Sequence, residues 1–234
     1  MKYALPLFLF FVLTILSCTK ETAIPEDTSD KYYPIQPGYE YVYSVTSIRI
    51  DKPTEIYDTV HYLLRQRVTD IIVDTLGYTT FVVQQDSCVD SSGWVSSKNI
   101  AIRKVDNEIV LLDNNTETVL LQYPVSRNMY WDANIYNLED KKTYMYSAID
   151  VPYDSESFNS DSTIVVEQQK FESLYSYVFQ EERYACGVGL CSKTDINIES
   201  QPIHGTIDLS LPIEERITYG YMKTYSLISY SLVK

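Results

Sequence analysis

Residues suited to hydrolytic chemistry are few in this chain of 234 residues. His61 and His204 are its two histidines, and the sequence has no Gly-X-Ser-X-Gly, His-Glu-X-X-His or phosphate-binding glycine loop. His61 alternates onto a polar strand face beside Arg65 and Arg67, and His204 precedes Gly205 in a segment typical of a turn. Both patterns favour surface histidines, and no catalytic residue is predicted.

Acidic residues are abundant, with 32 Asp and Glu against 19 Lys and Arg. A carboxylate-based hydrolase needs two acids about 5 to 9 Å apart, and the sequence singles out no such pair. Two clusters contain oxygen ligands that calcium accepts: Asp154, Glu156 and Asp161, and Asp113, Asn114, Asn115 and Glu117. Neither has the alternating ligand ladder of a calcium loop, so both predict solvated acidic turns, with no metal and no cofactor.

Aromatic residues offer a third kind of site, because Tyr and Trp combine flat apolar area with a polar group. The chain has 22 Tyr, and Trp94 and Trp131 are its two indoles. A flat face bearing either Trp would favour a glycan ligand. A closed sheet around a cavity lined by Tyr, Leu and Val would favour lipid or another apolar ligand. The simpler interpretation is that the Tyr rows are core and half-exposed sheet positions.

The N-terminus predicts where the protein is delivered. Lys2 precedes an apolar run at 3–16, which has the length of a secretory signal and is shorter than the roughly 20 residues that span a bilayer. The run ends in Ile15-Leu16-Ser17-Cys18, which resembles a bacterial lipobox with Ile in place of the usual Leu. An uncleaved signal anchor is the alternative. We expect residues 1–17 to be a signal peptide and Cys18 to carry the lipid.

A tether and the charge balance complete this prediction. Residues 18–32 are polar, contain acids and a proline, and lack an apolar period, which is typical of a flexible tether. Removal of residues 1–17 takes away one cation and no acid, so the net charge of −13 becomes −14. This charge argues against nucleic acid as a partner. In similar lipoproteins, Asp directly after the lipidated Cys indicates retention in the inner membrane. Thr19 occupies this position here, which favours the outer membrane by resemblance. The side of that membrane, periplasmic or external, is open.

Three cysteines remain beyond Cys18, namely Cys88, Cys186 and Cys191. Four residues, two of them Gly, separate Cys186 from Cys191, so a hairpin could bring their Cβ atoms to the roughly 3.8 Å that a disulfide needs. A structural bridge and two free buried thiols both remain open. A redox pair is disfavoured because its motif is Cys-X-X-Cys at a helix N-terminus. Cys88 is predicted to be a lone thiol near a loop.

The elements that position these residues are predicted to be strands. Tyr recurs at spacing two, a period in which side chains share a face of a strand; the examples are Tyr39/Tyr41/Tyr43, Tyr144/Tyr146, Tyr175/Tyr177 and Tyr219/Tyr221. Along 60–68, Val60, Tyr62, Leu64 and Val68 alternate with His61, Arg65 and Arg67. Hairpins are predicted at 71–83 and 109–123, with Asn and Asp in turns where Gly is usual. This usage partly explains why the chain has only 7 Gly.

Three segments carry more specific expectations. Residues 171–179 fit both an amphipathic helix and a strand, and the Tyr and Phe alternation favours the strand. Residues 150–161 are expected to form an exposed acidic loop. No boundary divides 33–234, which we interpret as one β domain with a candidate joint near 124–140.

A family resemblance rests on three stretches in the same order. They are residues 32–43 (YYPIQPGYEYVY), 122–137 (QYPVSRNMYWDANIYN) and 182–190 (ERYACGVGL). They are similar to the "YYP…G…Y.Y" start, the central "P…W…YN" and the late "YA.GVGL" of outer-membrane lipoproteins from Bacteroidota. The resemblance implies an antiparallel β fold, with a curled sheet like the lipid-handling half-barrels of periplasmic carriers, and implies no enzyme activity.

The sequence therefore predicts an all-β fold with few or no helices, built on a strongly curved antiparallel sheet, a half-barrel or a sandwich. The predicted function is that of a lipid-anchored, non-enzymatic domain at the bacterial outer membrane. It would bind an apolar ligand, a glycan or an envelope protein. A structural subunit of a surface complex is the second hypothesis, and a carboxylate-based hydrolase is the third.

Overall fold

A computed structural model describes residues 29–90, 93–202 and 208–232, and these residues form strands almost throughout. A short helix, α1, spans Ser29–Tyr32, and 3-10 turns span Lys52–Thr54 and Ile213–Glu215. The strands are β1 (Tyr39–Asp51), β2 (Ile56–Val73), β3 (Thr79–Cys88), β4 (Val95–Val105), β5 (Glu108–Asp113), β6 (Thr116–Gln122), β7 (Tyr130–Asp132), β8 (Thr143–Asp154), β9 (Asn159–Glu172), β10 (Ser176–Ala185), β11 (Gly189–Glu199) and β12 (Tyr219–Leu232).

All of these strands belong to one antiparallel sheet with the order β6-β5-β4-β3-β2-β1-β12-β11-β10-β9-β8-β7. The sheet curls until its edge strands, β6 and β7, approach each other. The Val119 amide donates to the Ala133 carbonyl over 2.9 Å, and the Trp131 indole donates to the Val119 carbonyl over 3.0 Å. The result is a nearly closed, barrel-like sheet, which confirms the predicted all-β, curved antiparallel fold.

The alternation of side chains predicted from the sequence is present in β1 and β8, whereas Tyr175, predicted to share a strand face with Tyr177, lies in the turn before β10. Tyr41 and Tyr43 lie on one face of β1, and Tyr144 and Tyr146 lie on one face of β8. The 71–83 and 109–123 hairpins form as predicted, with turns after Val73 and Asp113. Residues i and i+2 of a strand point to the same side, so all Tyr residues of one row lie on the same face of the sheet.

Asp and Asn do supply the left-handed turn conformations. Seven non-glycine residues among those described have positive φ, and six of them are Asp or Asn: Asp90, Asp106, Asn114, Asn115, Asn128 and Asp150. Asn114 and Asn115, with φ of 49° and 63°, form the two-residue turn of the β5–β6 hairpin. Two successive positive φ angles match the twist of adjoining strands, and Asn tolerates them without glycine.

Two segment predictions need correction or refinement. The expected acidic loop at 150–161 is wrong, because β8 continues to Asp154, β9 begins at Asn159, and only 155–158 form a turn. Its polar residues alternate with Tyr153 and Phe158, which pack against a buried cluster around Tyr43 and Leu227. Residues 171–179 are extended as favoured, but a turn at 173–175 separates β9 from β10.

The main core fills one side of the barrel interior. It contains Ile102, Ile109, Leu121, Trp131 and Ile164, each at most 6% exposed. The candidate joint at 124–140 contains β7 and lies between β6 and β8 in the chain, so it is located where the two edges of the sheet meet.

The N-terminal segment crosses one end of the barrel. Residues 29–32, expected in the tether, form α1, and Tyr32 is only 2% exposed. The Tyr32 hydroxyl donates to Asp150 over 2.7 Å, and the Gly187 amide donates to the Lys31 carbonyl over 2.7 Å. We call this the α1 end, which also carries the β8–β9 and β10–β11 turns. The other is the distal end, with the β3–β4 and β5–β6 turns.

The predicted signal peptide, Cys18 and most of the tether lie outside the described residues, as does His204. Among the helices that the structure describes, none has the length and apolar character needed to span a bilayer.

Candidate functional site

A cavity of about 560 Å³ lies in the barrel interior beside the main core, and core residues such as Ile102 form part of its wall. Its volume falls in the range of about 300 to 1,000 Å³ typical of small-molecule sites. The wall is formed mainly by β1 to β5 and β10 to β12, with the chain after α1 as a base. The lining includes Tyr33, Pro34, Ile35, Tyr41, Tyr43, Tyr62, Leu64, Val68, Val83, Val89, Ile100, Ile102, Leu111, Leu120, Tyr184, Leu190 and Tyr225.

Strand alternation explains why these residues face inward. In β2, Tyr62, Leu64 and Val68 line the cavity, while Arg65 and Arg67 bind Asp86 on the outer face. The predicted division of this strand into two faces is therefore confirmed for these positions. Val60, assigned to the same face, is 45% exposed and does not line the cavity.

The cavity is closed at the α1 end. Tyr33, Pro34 and Ile35 lie across its base, and the Tyr41 hydroxyl donates to the Pro34 carbonyl over 3.0 Å. The Tyr43 hydroxyl donates to the Leu190 carbonyl over 3.1 Å. These bonds satisfy both phenols, and their rings present apolar surface to the space, as buried Tyr residues require.

The mouth lies at the distal end. Val89, next to the β3–β4 turn, is 40% exposed, and Lys98 at the start of β4 is also exposed. Lys98 forms an ion pair with Asp113 at the end of β5. Charged lining residues therefore stand at the mouth, and the apolar lining extends from there toward α1.

One ion pair is built into the cavity wall. Lys193 Nζ lies 2.7 Å from Glu182 Oε1, and the Tyr184 hydroxyl donates to the other oxygen of the Glu182 carboxylate. Burial on its own would raise the pKa of Glu182, but Lys193 and the hydrogen bonds outweigh it and hold that pKa below its ordinary value. The Glu182 charge raises the pKa of Lys193. Both groups are ionised at neutral pH.

A second ammonium group faces the cavity from β12. Lys223 Nζ lies 5.8 Å from the ring centroid of Tyr62 and 5.1 Å from that of Tyr225. Burial would lower the pKa of Lys223, but the hydroxyls of Tyr225 and Tyr62 outweigh it, so the pKa is raised. Lys223 is a cation at neutral pH.

The residues considered as sites from the sequence are not brought together. His61 is exposed on β2 and hydrogen-bonds Thr46 over 3.0 Å. In the acidic cluster at the β5–β6 turn, Asp113 pairs with Lys98 and Glu117 with Arg103. Within the described parts of the chain, no three His, Cys, Asp or Glu side chains form a group that could hold a metal ion.

The two indoles do not form a flat ligand face. Trp131 is 6% exposed and packs against Tyr144 and Tyr146 in the core. Trp94 is 38% exposed, but the guanidinium of Arg65 stacks on its ring at 4.3 Å. A glycan site on a flat Trp face is therefore not supported, because the Trp131 ring lies in the core and the Trp94 ring is covered by Arg65.

Cys186 and Cys191 lie at the β10–β11 turn as free thiols. Cys186 is exposed, whereas Cys191 is buried and its Sγ donates to the Arg183 carbonyl over 3.3 Å. The bridge is not formed in the structure, and the disulfide stays a prediction. Cys88 is half-buried at the end of β3.

Sequence reasoning missed Glu182, Lys193 and Lys223. Two of them interrupt an aromatic row: Glu182 precedes Tyr184 by two positions, and Lys223 lies between Tyr221 and Tyr225. A charged residue at an inward strand position was the available signal, because such a residue needs a partner or a function.

No family model and no curated protein matches the chain. Among solved structures, the fold is similar to that of a candidate lipoprotein from Parabacteroides distasonis, with a TM-score of 0.41 and 11% identity. The match covers 86% of this chain and 98% of the other.

Proposed function

We propose that this protein is a lipid-anchored binding protein whose barrel-like domain holds an apolar ligand in its interior cavity. The cavity of about 560 Å³, lined largely by Tyr, Leu, Val and Ile, is the observation that carries the proposal. Apolar pockets with a few placed polar groups are the usual form of small-ligand sites.

The anchor rests on the sequence. Cys18 follows an apolar run of signal length and a small residue, and lipidation of its thiol would attach the chain to the outer membrane. We expect a Cys18→Ala variant to leave the membrane and appear in the soluble envelope fraction. A Ser17→Ala variant keeps a small residue before the cysteine and should stay in the membrane. Membrane fractionation of Cys18→Ala would contradict the anchor.

A non-enzymatic role is supported by the state of the carboxylates. Glu182, the buried acid in the cavity wall, is paired with Lys193 and has a lowered pKa, unlike a general acid. Burial raises the pKa of Glu181, which is the register partner of Glu167, but neither lines the cavity. The hydrolase hypothesis requires two neighbouring acids inside the cavity, and this pair lies outside it.

Binding is tested with the full chain carrying Cys18→Ala and the neutral fluorescent probe N-phenylnaphthylamine. We expect saturable fluorescence enhancement that a fatty alcohol reverses. Leu64→Trp would fill the cavity and abolish the enhancement, whereas Leu63→Trp, next to it on the outer face of β2, would leave it intact. Both variants must show cooperative unfolding. Absence of saturable binding, or equal loss in both variants, would overturn the proposal.

A second candidate function, binding of an envelope protein, has one supporting feature. The β2–β3 hairpin exposes several apolar side chains near its tip: Ile72 is 56%, Val73 is 62% and Leu76 is 80% exposed. Contiguous exposed apolar groups are typical of interaction sites. If this function holds, chemical cross-linking in the native envelope should attach a partner to the wild-type protein. The double variant Ile72→Ser/Leu76→Ser should lose that cross-link and still bind the probe.

A further inference from the structure

The charges that line the cavity do not balance. The lining contains three cations, Lys98, Lys193 and Lys223, and two acids, Asp113 and Glu182. Lys98 pairs with Asp113, and Lys193 pairs with Glu182. The lining therefore has a net charge of +1 in a chain whose net charge is −13. The excess positive charge is that of Lys223.

Lys223 has no acidic partner among the described residues. Asp195, its register partner in β11, instead accepts hydrogen bonds on Oδ1 from Gln180 over 2.8 Å and from Tyr221 over 3.2 Å. The groups around the ammonium are the aromatic residues Tyr62 and Tyr225. Tyr hydroxyls can donate to an anion beside the ammonium as well as accept from it.

The strand register places this cation toward the mouth. Lys223 is level with Ser47 of β1, and Ser47 is level with Val60 of β2. Tyr41 and Tyr43, which close the opposite side, lie four and more positions nearer the α1 end of β1. If a ligand entered from the distal end, the part that entered first would contact the apolar wall near the α1 end. The part that entered last would lie beside Lys223.

We infer that the ligand is an amphiphile with a single apolar chain and a monoanionic carboxylate head, and that the head binds Lys223 between Tyr62 and Tyr225. This inference rests on the proposed function and adds the chemistry of the head group. One carboxylate neutralises the excess charge of the lining. A phosphate monoester carries about −1.5 to −2 and would leave uncompensated negative charge beside Asp113 and Glu182.

The test compares dodecanoate, dodecanol and dodecyl phosphate in displacement of N-phenylnaphthylamine, at a pH where the carboxylate is ionised. The three ligands have nearly the same apolar chain and differ mainly in the head; the chain of dodecanoate is one carbon shorter, which works against the expected preference. We expect dodecanoate to bind about tenfold or more tightly than dodecanol, which is the effect of one charge-assisted hydrogen bond. Lys223→Met should reduce this preference to near unity with the affinity for dodecanol unchanged.

Lys52→Met is the matched control, because it removes one positive charge from an exposed site outside the cavity. Lys223→Arg keeps the positive charge and should retain the preference for dodecanoate. Its behaviour therefore distinguishes loss of the charge in Lys223→Met from a defect in folding. Equal affinities for dodecanoate and dodecanol in the wild type, an unchanged preference in Lys223→Met, or tightest binding of dodecyl phosphate would each overturn the inference. In these three outcomes dodecanol still binds, so the proposed function survives; if no ligand displaces the probe, both fail.

Discussion

The indole nitrogen of Trp131 donates a hydrogen bond of 3.0 Å to the carbonyl oxygen of Val119, and this bond joins the two edge strands of the sheet. Val119 lies on β6 and Trp131 on β7, at opposite ends of the strand order. The Asn137 side-chain amide adds a bond of 2.6 Å to the Glu117 carbonyl. The seam is therefore held by side chains and single backbone bonds, without a continuous ladder.

We predict that Trp131→Phe lowers the free energy of unfolding by about 2 kcal/mol, because it keeps an aromatic ring but leaves the buried Val119 carbonyl without this donor. Urea denaturation measures the loss. Hydrogen exchange should increase first in β6 and β7. Trp94→Phe, at a partly exposed indole outside the core, should change stability by less than about 1 kcal/mol. Equal losses in the two variants would show that the seam bond is not important.

Local pattern was sufficient to predict the strands and several turns. The alternation of Tyr62 and Leu64 with Arg65 and Arg67 needs only the two-residue period of a strand, and it holds in the structure. Asn114 and Asn115 carry their own turn preference, so the β5–β6 hairpin was also predictable. These features depend on near neighbours in the chain.

The cavity charges depend on a bulge that local pattern does not reveal. At the β10–β11 hairpin, Tyr184 pairs with Leu190, whereas Arg183 pairs with Ser192, so Cys191 is an extra residue. The extra residue places Lys193 opposite Glu182. Without the bulge, Glu182 would be level with Ser192, and Lys193 would be level with Glu181 on the outer face. Uninterrupted alternation from Gly189 onward therefore predicts Ser192, and not Lys193, as the residue opposite Glu182.

The seam and Lys223 required long-range information. Trp131 and Val119 are 12 positions apart in the chain, but their strands lie at opposite ends of the sheet order, and their bond forms where the curled sheet closes. Lys223 meets Tyr62 through β1, which separates their strands. No spacing in the sequence encodes either contact, since the first depends on closure of the sheet and the second on the pairing of β12 with β1.

The Glu182–Lys193 pair predicts strong coupling between two substitutions. Lys193→Met leaves the Glu182 carboxylate, 4% exposed, without its cation, and should cost about 3 kcal/mol of stability. Adding Glu182→Gln removes the stranded charge, so the double variant should be more stable than Lys193→Met alone. A double-mutant cycle in urea measures the coupling, and additive single effects would contradict the pair's importance.

The cysteines at the β10–β11 turn should react differently with iodoacetamide. Burial raises the pKa of Cys191 to about 12, and its thiol is inside the sheet, whereas Cys186 is exposed. We expect peptide mass spectrometry to find alkylation of Cys186 and not of Cys191 in the native protein, and of both after unfolding. If both resist alkylation until the unfolded protein is reduced, the predicted disulfide is present.

Asp86 predicts a specific dependence of stability on pH. Its carboxylate is 2% exposed and accepts bonds from Arg65 Nη2 over 2.8 Å and Arg67 Nη2 over 3.1 Å. Burial would raise the pKa of Asp86, but Arg65, Gln84 and Arg67 outweigh it, so the folded pKa lies below the usual 3.8. A lowered folded pKa contributes stability that is fully present above the unfolded value and is lost as pH falls through the folded value.

We therefore expect Asp86→Asn to cost about 2 kcal/mol at neutral pH, because two guanidinium groups lose their shared anion. The cost should be constant down to about pH 5 and should shrink as the pH falls from about 4 toward the lowered folded pKa, because the carboxylate takes up a proton first in the unfolded state and only later in the folded state. Asp58→Asn is the control, since the Asp58 side chain is exposed and makes no ion pair within the described residues. Unfolding free energies measured across this range test the prediction. A cost that stays the same at acid pH would mean that Asp86 stabilises the sheet through packing and neutral hydrogen bonds, independently of its charge.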